Sequence, residues 1–198
     1  MATKTEIANI ALGLIGANLV TNVDADDSEE AKQIRIQYDA ALNATLEVQE
    51  WSFAIKRFEP ALVGSAPLYG WTNAFQPPPD IIRVLSCDRQ VSGGPMTGKY
   101  DPGQIDWDFE GGLILTDESV VYARGISNLV REGDFSPTFV QAFAARLAMM
   151  VALPLTQSQQ IFQNCGGLFN GLIREAKTRD GMQGRSKRIR NRAFIRVR

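Results

Sequence analysis

The spacing of apolar and polar positions changes twice along this chain, which predicts a helical start, a strand-rich middle and a helical end. An apolar face at helical spacing predicts the first helix, and Gly16 is placed to end it. The residues on this face are Ile7, Ile10, Ala11, Leu14 and Ile15. A capping-box sequence from Asp27 to Glu30 then predicts a second amphipathic helix. We expect it to run to about Glu50 and to be the longest element.

Between Trp51 and Gly133 the pattern becomes that of short strands separated by glycine and proline. The expected strands are Ser52–Phe58, Ile81–Cys87, Ile105–Phe109, Leu113–Leu115 and Val120–Ala123. The pair Gly111-Gly112 lies between two apolar runs and predicts a β-hairpin. We expect these strands to form one small, mostly antiparallel sheet.

Helical spacing returns in the last third of the chain. Ser136 followed by Pro137 is the pattern of a cap residue with proline at the first helical position. We expect Pro154 to end or kink this third helix. A fourth helix is expected from about Ser158 to Thr178.

These elements together predict an α+β fold. We expect an antiparallel four-helix bundle formed by residues 1–58 and 134–180. The small, mostly antiparallel β insertion, residues 59–133, would lie between helices 2 and 3. Residues 181–198 are expected to form an extended, basic C-terminal arm.

Charge is segregated along the chain in a way that the overall balance hides. The last fourteen residues contain seven Lys and Arg side chains and no acid, whereas the net charge of the whole chain is only −1. By subtraction, residues 1–184 hold 14 basic and 22 acidic side chains, a net charge of −8. Such asymmetry is typical of an interaction tail attached to a folded body.

The chain contains no histidine, which excludes Ser-His and Cys-His nucleophilic catalysis. Its two cysteines, Cys87 and Cys165, are too few for a structural zinc site and are expected to be free, buried thiols. We therefore expect no catalytic residue, no metal and no cofactor, and a non-enzymatic function. No stretch stands out as long enough to span a membrane, so no membrane partner is expected.

One group of acids has a spacing that invites an enzymatic interpretation. Asp106, Asp108 and Glu110 alternate along one expected strand, which places successive carboxylates about 6–7 Å apart on one face. This spacing is close to that of the carboxylate pairs in glycoside hydrolases, and a wall-degrading hydrolase is the corresponding alternative. Because Trp107 and Phe109 occupy the opposite face, a solvated acidic face is the favoured interpretation.

The composition of the arm favours docking onto a protein. Six of its seven basic residues are Arg, whose planar guanidinium pairs in bidentate fashion with carboxylates as well as with phosphates. Apolar anchors within the arm include Ile189, Phe194 and Ile195. The candidate docking residues are Arg185, Lys187, Arg188, Arg190, Arg192, Phe194, Arg196 and Arg198.

A nucleic-acid-binding protein that grips phosphates with this tail is the main alternative. The acidic body would oppose the approach of DNA, and Phe194 is the one aromatic residue in the arm. Protein docking therefore remains the leading interpretation.

An ordered set of motifs between about residues 6 and 178 resembles a known family. The set comprises Leu12-Gly13-Leu14-Ile15-Gly16, Tyr38, Trp51-Ser52-Phe53, Trp71, Phe75-Gln76, Pro79-Asp80, Arg83-Val84, Tyr122, Phe135, Phe139, Leu147-Ala148, Leu155-Thr156 and Ala176. In this order the motifs are similar to those of the tail tubular protein A group, the head-to-tail adaptors of short-tailed phages.

The resemblance implies a structural virion protein that assembles in the host cytoplasm. Members form a ring of twelve subunits beneath the portal, extend the DNA channel and present their lower face to the tail nozzle protein. DNA passes through such a ring without sequence-specific binding. In related adaptors a C-terminal extension reaches the portal protein, and the basic arm is the segment that would do so here.

Overall fold

A computed structural model describes residues 2–65, 67–89 and 105–182 of the chain. The helices are α1 (Lys4–Ile15), α2 (Glu29–Leu46), α3 (Pro137–Thr156) and α4 (Gln159–Met182), with a short 3₁₀ turn at Glu132–Asp134. The strands are β1 (Ile55–Phe58), β2 (Ala61–Leu62), β3 (Asn73–Gln76), β4 (Ile81–Asp88), β5 (Asp108–Glu110), β6 (Leu113–Thr116) and β7 (Tyr122–Ser127).

Helix α3 lies at the centre of the helical part and contacts α1, α2 and α4. Its apolar residues are buried on most sides, as expected of a helix surrounded by other elements. The main core, which we define as the buried cluster around α3, includes a group of aromatic rings. The ring of Phe139 lies 4.9 Å, centroid to centroid, from those of Trp51, Phe53 and Phe135.

A first antiparallel sheet, in the order β1-β7-β4, packs directly against the helices. Ile126 of β7 is fully buried in the main core, and Ile82 and Leu85 of β4 pack against the same cluster. Ala123 of β7 instead belongs to a separate buried cluster, because side chains alternate between the two faces of a strand.

A second antiparallel sheet, in the order β2-β3-β6-β5, packs on the first. The second core, which we define as the cluster between the sheets, contains Phe75 and Ile114 from the second sheet and Cys87 and Ala123 from the first. The molecule is thus layered, with helices, first sheet and second sheet in that order.

The expectation of a four-helix bundle with one small β insertion is wrong. The described residues form four helices, but their seven strands make two sheets, and the first sheet supplies part of the main core. Strands β2 and β3 were not anticipated, because two and four residues are too few to show a two-residue period. Strand β1, assigned to the helical part by its sequence position, pairs with β7 from the far end of the strand-rich region.

Several local expectations are confirmed. Gly16 ends α1 in the left-handed conformation, and the Ser136 hydroxyl accepts a hydrogen bond from the N–H of Phe139 at the start of α3. Strands β5 and β6 form the expected hairpin, in which Gly111 and Gly112 both have positive φ. Only glycine adopts two successive positive φ angles without steric cost.

The helix bounds differ from the expected ones in three places. The N-cap of α2 is Ser28, one residue after the predicted Asp27, and the helix ends at Leu46. Pro154 is accommodated inside α3. Helix α4 is the longest element, since it continues through Gly181 to Met182 and so includes the first two residues assigned to the arm.

Helix α3 is long and apolar enough to cross a membrane, judged by length and composition alone, and this was not anticipated from the sequence. More than half of it is buried inside the protein. A central core helix passes the same test, and the contacts of α3 with three other helices are those of a core helix.

Candidate functional site

All eight candidate docking residues of the arm, from Arg185 to Arg198, lie outside the described residues. The structure describes instead the place where the arm begins, at the last turn of α4. The candidate site is therefore built from the residues around Met182.

Asp180 holds the last turn of α4 against the start of the first sheet. Its side chain is buried, and its carboxylate accepts hydrogen bonds from the backbone N–H of Ser52 at 3.2 Å and from the Ser52 hydroxyl at 2.8 Å. These residues are 128 positions apart in the chain. A buried carboxylate left without such donors is costly, so the contact specifies where the arm leaves the body.

A cleft of about 370 Å³ lies beside this contact. It is lined by Ser52, Phe53, Asp134, Ser136, Pro137 and Asp180. The lining combines an apolar surface from one ring and one proline with two carboxylates. Three separate parts of the chain meet here: the turn before β1, the segment that enters α3 and the end of α4.

A third carboxylate lies next to this lining, on the same 3₁₀ turn as Asp134. The hydroxyl of Tyr38 donates a hydrogen bond to Glu132 at 3.2 Å and so ties that turn to α2. Burial raises the pKa of the Tyr38 hydroxyl, and the negative charge of Glu132 raises it further. Tyr38 therefore stays a neutral donor to Glu132.

None of these three carboxylates forms an ion pair with a Lys or Arg side chain in the described part of the chain. The donors to Asp180 and Glu132 are neutral hydroxyl and amide groups. The end of α4, where the arm begins, therefore lies beside a cleft lined by two carboxylates, those of Asp134 and Asp180.

The acids of the hydrolase alternative lie elsewhere: Asp108 and Glu110 are in β5 of the second sheet, and Asp106 precedes that strand instead of belonging to it as expected. Asp106, Asp108 and Glu110 are all exposed, and Asp108 accepts a hydrogen bond from the indole N–H of Trp71 at 3.2 Å. Phe109 is itself 51% exposed, so its face of the strand is less buried than expected. None of the three acids lines the cleft beside Asp180.

Two adjacent apolar side chains are almost fully exposed in the loop between β2 and β3. Leu68 is 96% exposed and Tyr69 is 85% exposed. Single exposed apolar residues are common, but two large neighbours at a loop tip are typical of contact points for another molecule.

Two motif residues of the family resemblance, Asp80 and Arg83, tie the first sheet together and connect it to the end of α2. Asp80 accepts hydrogen bonds from Lys56 at 2.8 Å and from Ser127 at 2.7 Å, which links β1 and β7 to the turn before β4. These hydrogen bonds hold the pKa of Asp80 below its usual value. Arg83 donates to the carbonyl of Glu47, just after α2.

No group of three or more Cys, Asp or Glu side chains in residues 2–65, 67–89 and 105–182 is arranged to hold a metal ion. Cys87 and Cys165 are free and buried. Burial raises the pKa of the Cys87 thiol to about 12 and also raises that of Cys165. Both are therefore poor nucleophiles at neutral pH.

The cleft was not anticipated from the sequence, although one signal was present. Asp180 continues the apolar face formed by Phe169, Ile173 and Ala176 at helical spacing. An acid at an inward-facing position indicates a buried polar contact. Its partner, Ser52, lies too far away in the chain to be identified from spacing.

No known family model matches this chain, and no curated protein sequence matches it either.

Proposed function

We propose that this chain is a structural virion protein, a head-to-tail adaptor that forms a ring between the portal and the tail nozzle and extends the DNA channel. The observation that carries the proposal is the segregation of charge, with net −8 in residues 1–184 and +7 in the last fourteen. The ordered motifs that resemble the tail tubular protein A group supply the identity of the partners.

The physical requirements of the role agree with the described residues. A head-to-tail ring needs two different complementary faces on each subunit. The β2–β3 loop, with Leu68 and Tyr69, and the end of α4, where the arm begins, lie on different elements and differ in chemistry. An acidic body beside a DNA channel lets DNA pass without adhering.

Twelve arms that bind one symmetric portal would act together. Each arm then needs only modest affinity, because linked binding events raise the effective concentration at the next site. The Arg side chains favour bidentate pairing with carboxylates of the portal.

The test is to mix the protein with its portal and examine the particles by electron microscopy and native mass spectrometry. We expect a ring of twelve subunits on the portal. Deletion of residues 185–198 is expected to leave the circular dichroism spectrum unchanged and to abolish portal binding. Unchanged binding by the shortened chain would refute the role of the arm.

A variant with all six arm Arg residues replaced by Lys serves as the matched control, since it keeps the charge and removes the bidentate geometry. We expect it to bind portal more weakly than the natural chain but better than the deletion. Equal binding by this variant would mean that charge alone recruits the arm.

The nucleic-acid alternative is favoured by the density of seven positive charges in the last fourteen residues. It predicts that the isolated protein binds DNA with an affinity that falls steeply with salt and is lost with the arm. Salt-sensitive DNA binding combined with no portal binding would replace the adaptor proposal.

A further inference from the structure

Two arginines lie directly opposite each other in the first sheet. The register pairs Arg57 of β1 with Arg124 of β7, and on the other side of β7 it pairs Arg124 with Ser86 of β4. These three residues, one from each strand, form a single row across the sheet, which we name the arginine row. Directly opposite residues have Cβ atoms about 4.5–5.5 Å apart, and like charges in such positions destabilise a sheet.

The arginine row points to the helical side of the sheet. Phe58, Ala123 and Cys87, the residues next to the row in the chain, all pack in or against the second core, so the row faces the other way. The adjacent row on the helical side contains Ile126, which is fully buried in the main core. The arginine row therefore lies at the margin of the main core, where its central member is half-buried and the arginine on β1 is exposed.

The two arginines differ from the other cations of the first sheet because they have no acceptor. Lys56 pairs with Asp80 at 2.8 Å, and Arg83 donates a hydrogen bond to the carbonyl of Glu47 at 3.3 Å. Within residues 2–65, 67–89 and 105–182, the arginines of the row form neither an ion pair nor a hydrogen bond. Their guanidinium N–H groups are therefore available to a ligand.

The nearest carboxylates do not neutralise the row. Asp88 of β4 pairs with Tyr122 in the next row, and Glu59 directly follows β1. Residues two positions apart along a strand are about 6–7 Å apart, and in the described part of the chain neither acid forms an ion pair with an arginine of the row. The two acids lower the net charge of this surface but do not occupy the guanidinium donors.

Protection of a sheet edge explains one of the two charges but not the other. Charged side chains on an edge strand hinder pairing with other chains, and Arg57 lies on the edge strand β1. Arg124 lies on β7, the central strand of the sheet, where there is no edge to protect. Two like charges held side by side, one of them half-buried, are stabilised by an anion placed between them.

We propose that the arginine row binds a phosphate group. A guanidinium donates two parallel hydrogen bonds to two oxygens of a phosphate, so a phosphate between Arg57 and Arg124 pairs with both and removes their mutual repulsion. The half-buried hydroxyl of Ser86 supplies a further donor. A carboxylate has two oxygens and a single charge, so it matches one arginine instead of two.

A phosphate group reaches the row either as free phosphate or a phosphate monoester, or as part of a nucleic-acid backbone. The same guanidinium geometry recognises both sources. Because the row consists of residues of the folded body, its binding of phosphate is independent of the basic arm and of the adaptor role. A chain that fails to bind portal would still bind phosphate here.

The experiment needs a signal that comes from the row alone, because the last fourteen residues carry seven further positive charges that attract any anion. In the full-length, ¹⁵N-labelled protein, NMR resolves the Nε–H groups of individual arginines, and the variants Arg57→Lys and Arg124→Lys assign the two signals of the row. We expect inorganic phosphate, titrated at constant ionic strength, to shift both signals in parallel and to saturate the shift.

The variant Arg124→Gln removes the central charge and keeps a long polar side chain. If one anion contacts both arginines, the affinity for phosphate measured at Arg57 falls by about tenfold or more in this variant. Arg174→Gln makes the same change at an exposed position of α4 and is the matched control, with no expected effect on the row. Arg57→Gln, at an exposed position, gives the reciprocal measurement at Arg124 and keeps the test valid if Arg124→Gln does not fold.

Acetate and chloride at the same ionic strength test the class of anion. An equal response to chloride would show simple charge screening, and an equal response to acetate would show a carboxylate site; either result overturns the phosphate site. It is also overturned if neither signal shifts with phosphate, if only one does, or if Arg124→Gln binds phosphate as tightly as the natural protein.

A short duplex DNA added to the same protein distinguishes the two sources. Saturation of both signals at a lower concentration of phosphate groups than with inorganic phosphate supports the site and identifies a nucleic-acid backbone as the ligand. A response to inorganic phosphate without a response to DNA supports the site and identifies free phosphate or a phosphate monoester.

Discussion

The main core and the second core differ in size and in what builds them. The main core gathers long helices and a group of packed aromatic rings around α3. The second core lies between two sheets whose strands are mostly four residues or shorter, and Phe75 is its one buried aromatic ring among the described residues. Stability in this protein is therefore concentrated on the helical side.

The two cores nevertheless share one sheet. Strand β7 places Ile126 in the main core and Ala123 in the second core. A substitution that destabilises the main core should also destabilise the second sheet, because a strand transmits strain between its two faces. A substitution in the second sheet should destabilise only that sheet. The following changes test this asymmetry.

The largest effect is expected for Phe139→Ala in the main core. The ring of Phe139 is fully buried and contacts four other aromatic rings, so its removal should lower the free energy of unfolding by about 3–5 kcal/mol. Chemical denaturation measures this loss. The control Phe109→Ala, at a ring that is 51% exposed, should change stability by no more than about 0.5 kcal/mol. Similar losses in the two variants would contradict the concentration of stability around α3.

A matched pair of isoleucines compares the two cores directly. Ile34 in α2 and Ile114 in β6 are both fully buried. We expect Ile34→Ala to cost about 4–5 kcal/mol and Ile114→Ala about 2–3 kcal/mol, because short strands near a sheet edge relax more readily into the space left behind. Hydrogen exchange should show that Ile114→Ala removes protection from β3 and β6 but not from α3. A uniform loss of protection would mean that both cores unfold as one unit.

The contact between β4 and β7 is tested by Gly125→Ala. A Cβ atom at Gly125 would lie 2.7 Å from the Cγ2 atom of Ile81 and 2.8 Å from the carbonyl oxygen of Arg83. Because the second of these is backbone, the strands must move apart, at a cost of about 1–3 kcal/mol. The opposite sign is expected for Gly167→Ala in α4, where no atom of the described residues lies within 4 Å of the added Cβ and the helix gains about 1 kcal/mol of stability. Thermal denaturation of both variants measures these two changes in stability.

The smallest effect on stability is expected for Asp80→Asn, in the turn before β4. Hydrogen bonds from Lys56 and then Ser127 hold the pKa of Asp80 below its ordinary value of 3.8. Folding thus favours the charged form of Asp80. The stabilisation of the folded protein by this charge is complete above pH 3.8 and is lost as the pH falls through the lowered pKa of the folded protein. We expect the variant to be less stable by about 1 kcal/mol at neutral pH.

Denaturation curves between pH 2 and pH 7 measure this dependence. The difference between the natural protein and Asp80→Asn should shrink as the pH falls below the ordinary value of 3.8. A difference that is independent of pH would show that the Asp80 charge does not contribute.

Local signals in the sequence predicted the ends of elements well. These signals act through the backbone geometry of a residue or of its neighbours, so the surrounding fold is not needed to interpret them. They are Gly16, Ser136 with Pro137, and the pair Gly111-Gly112. The expected strands Ile81–Cys87 and Leu113–Leu115 correspond closely to β4 and β6.

The arrangement of the strands could not be predicted in the same way. β2 pairs with β3 through only two residue positions, and β3 pairs with β6, which lies much further along the chain. Pairing over such distances depends on the burial of Phe75 and Ile114 against the first sheet, which no local pattern encodes. This is why one insertion was expected where two sheets exist.

The same distinction between local sequence signals and long-range packing applies to the candidate site. The sequence by itself determined that an acidic body ends in a basic, arginine-rich segment, because charge is a property of composition. Only the tertiary structure decided that Asp134, Asp180 and Ser52 meet where that segment begins, since the contact joins residues 128 positions apart. The chain carries these charges in any conformation, whereas the packing of α4 on α3 and the Asp180–Ser52 contact decide where the basic segment begins.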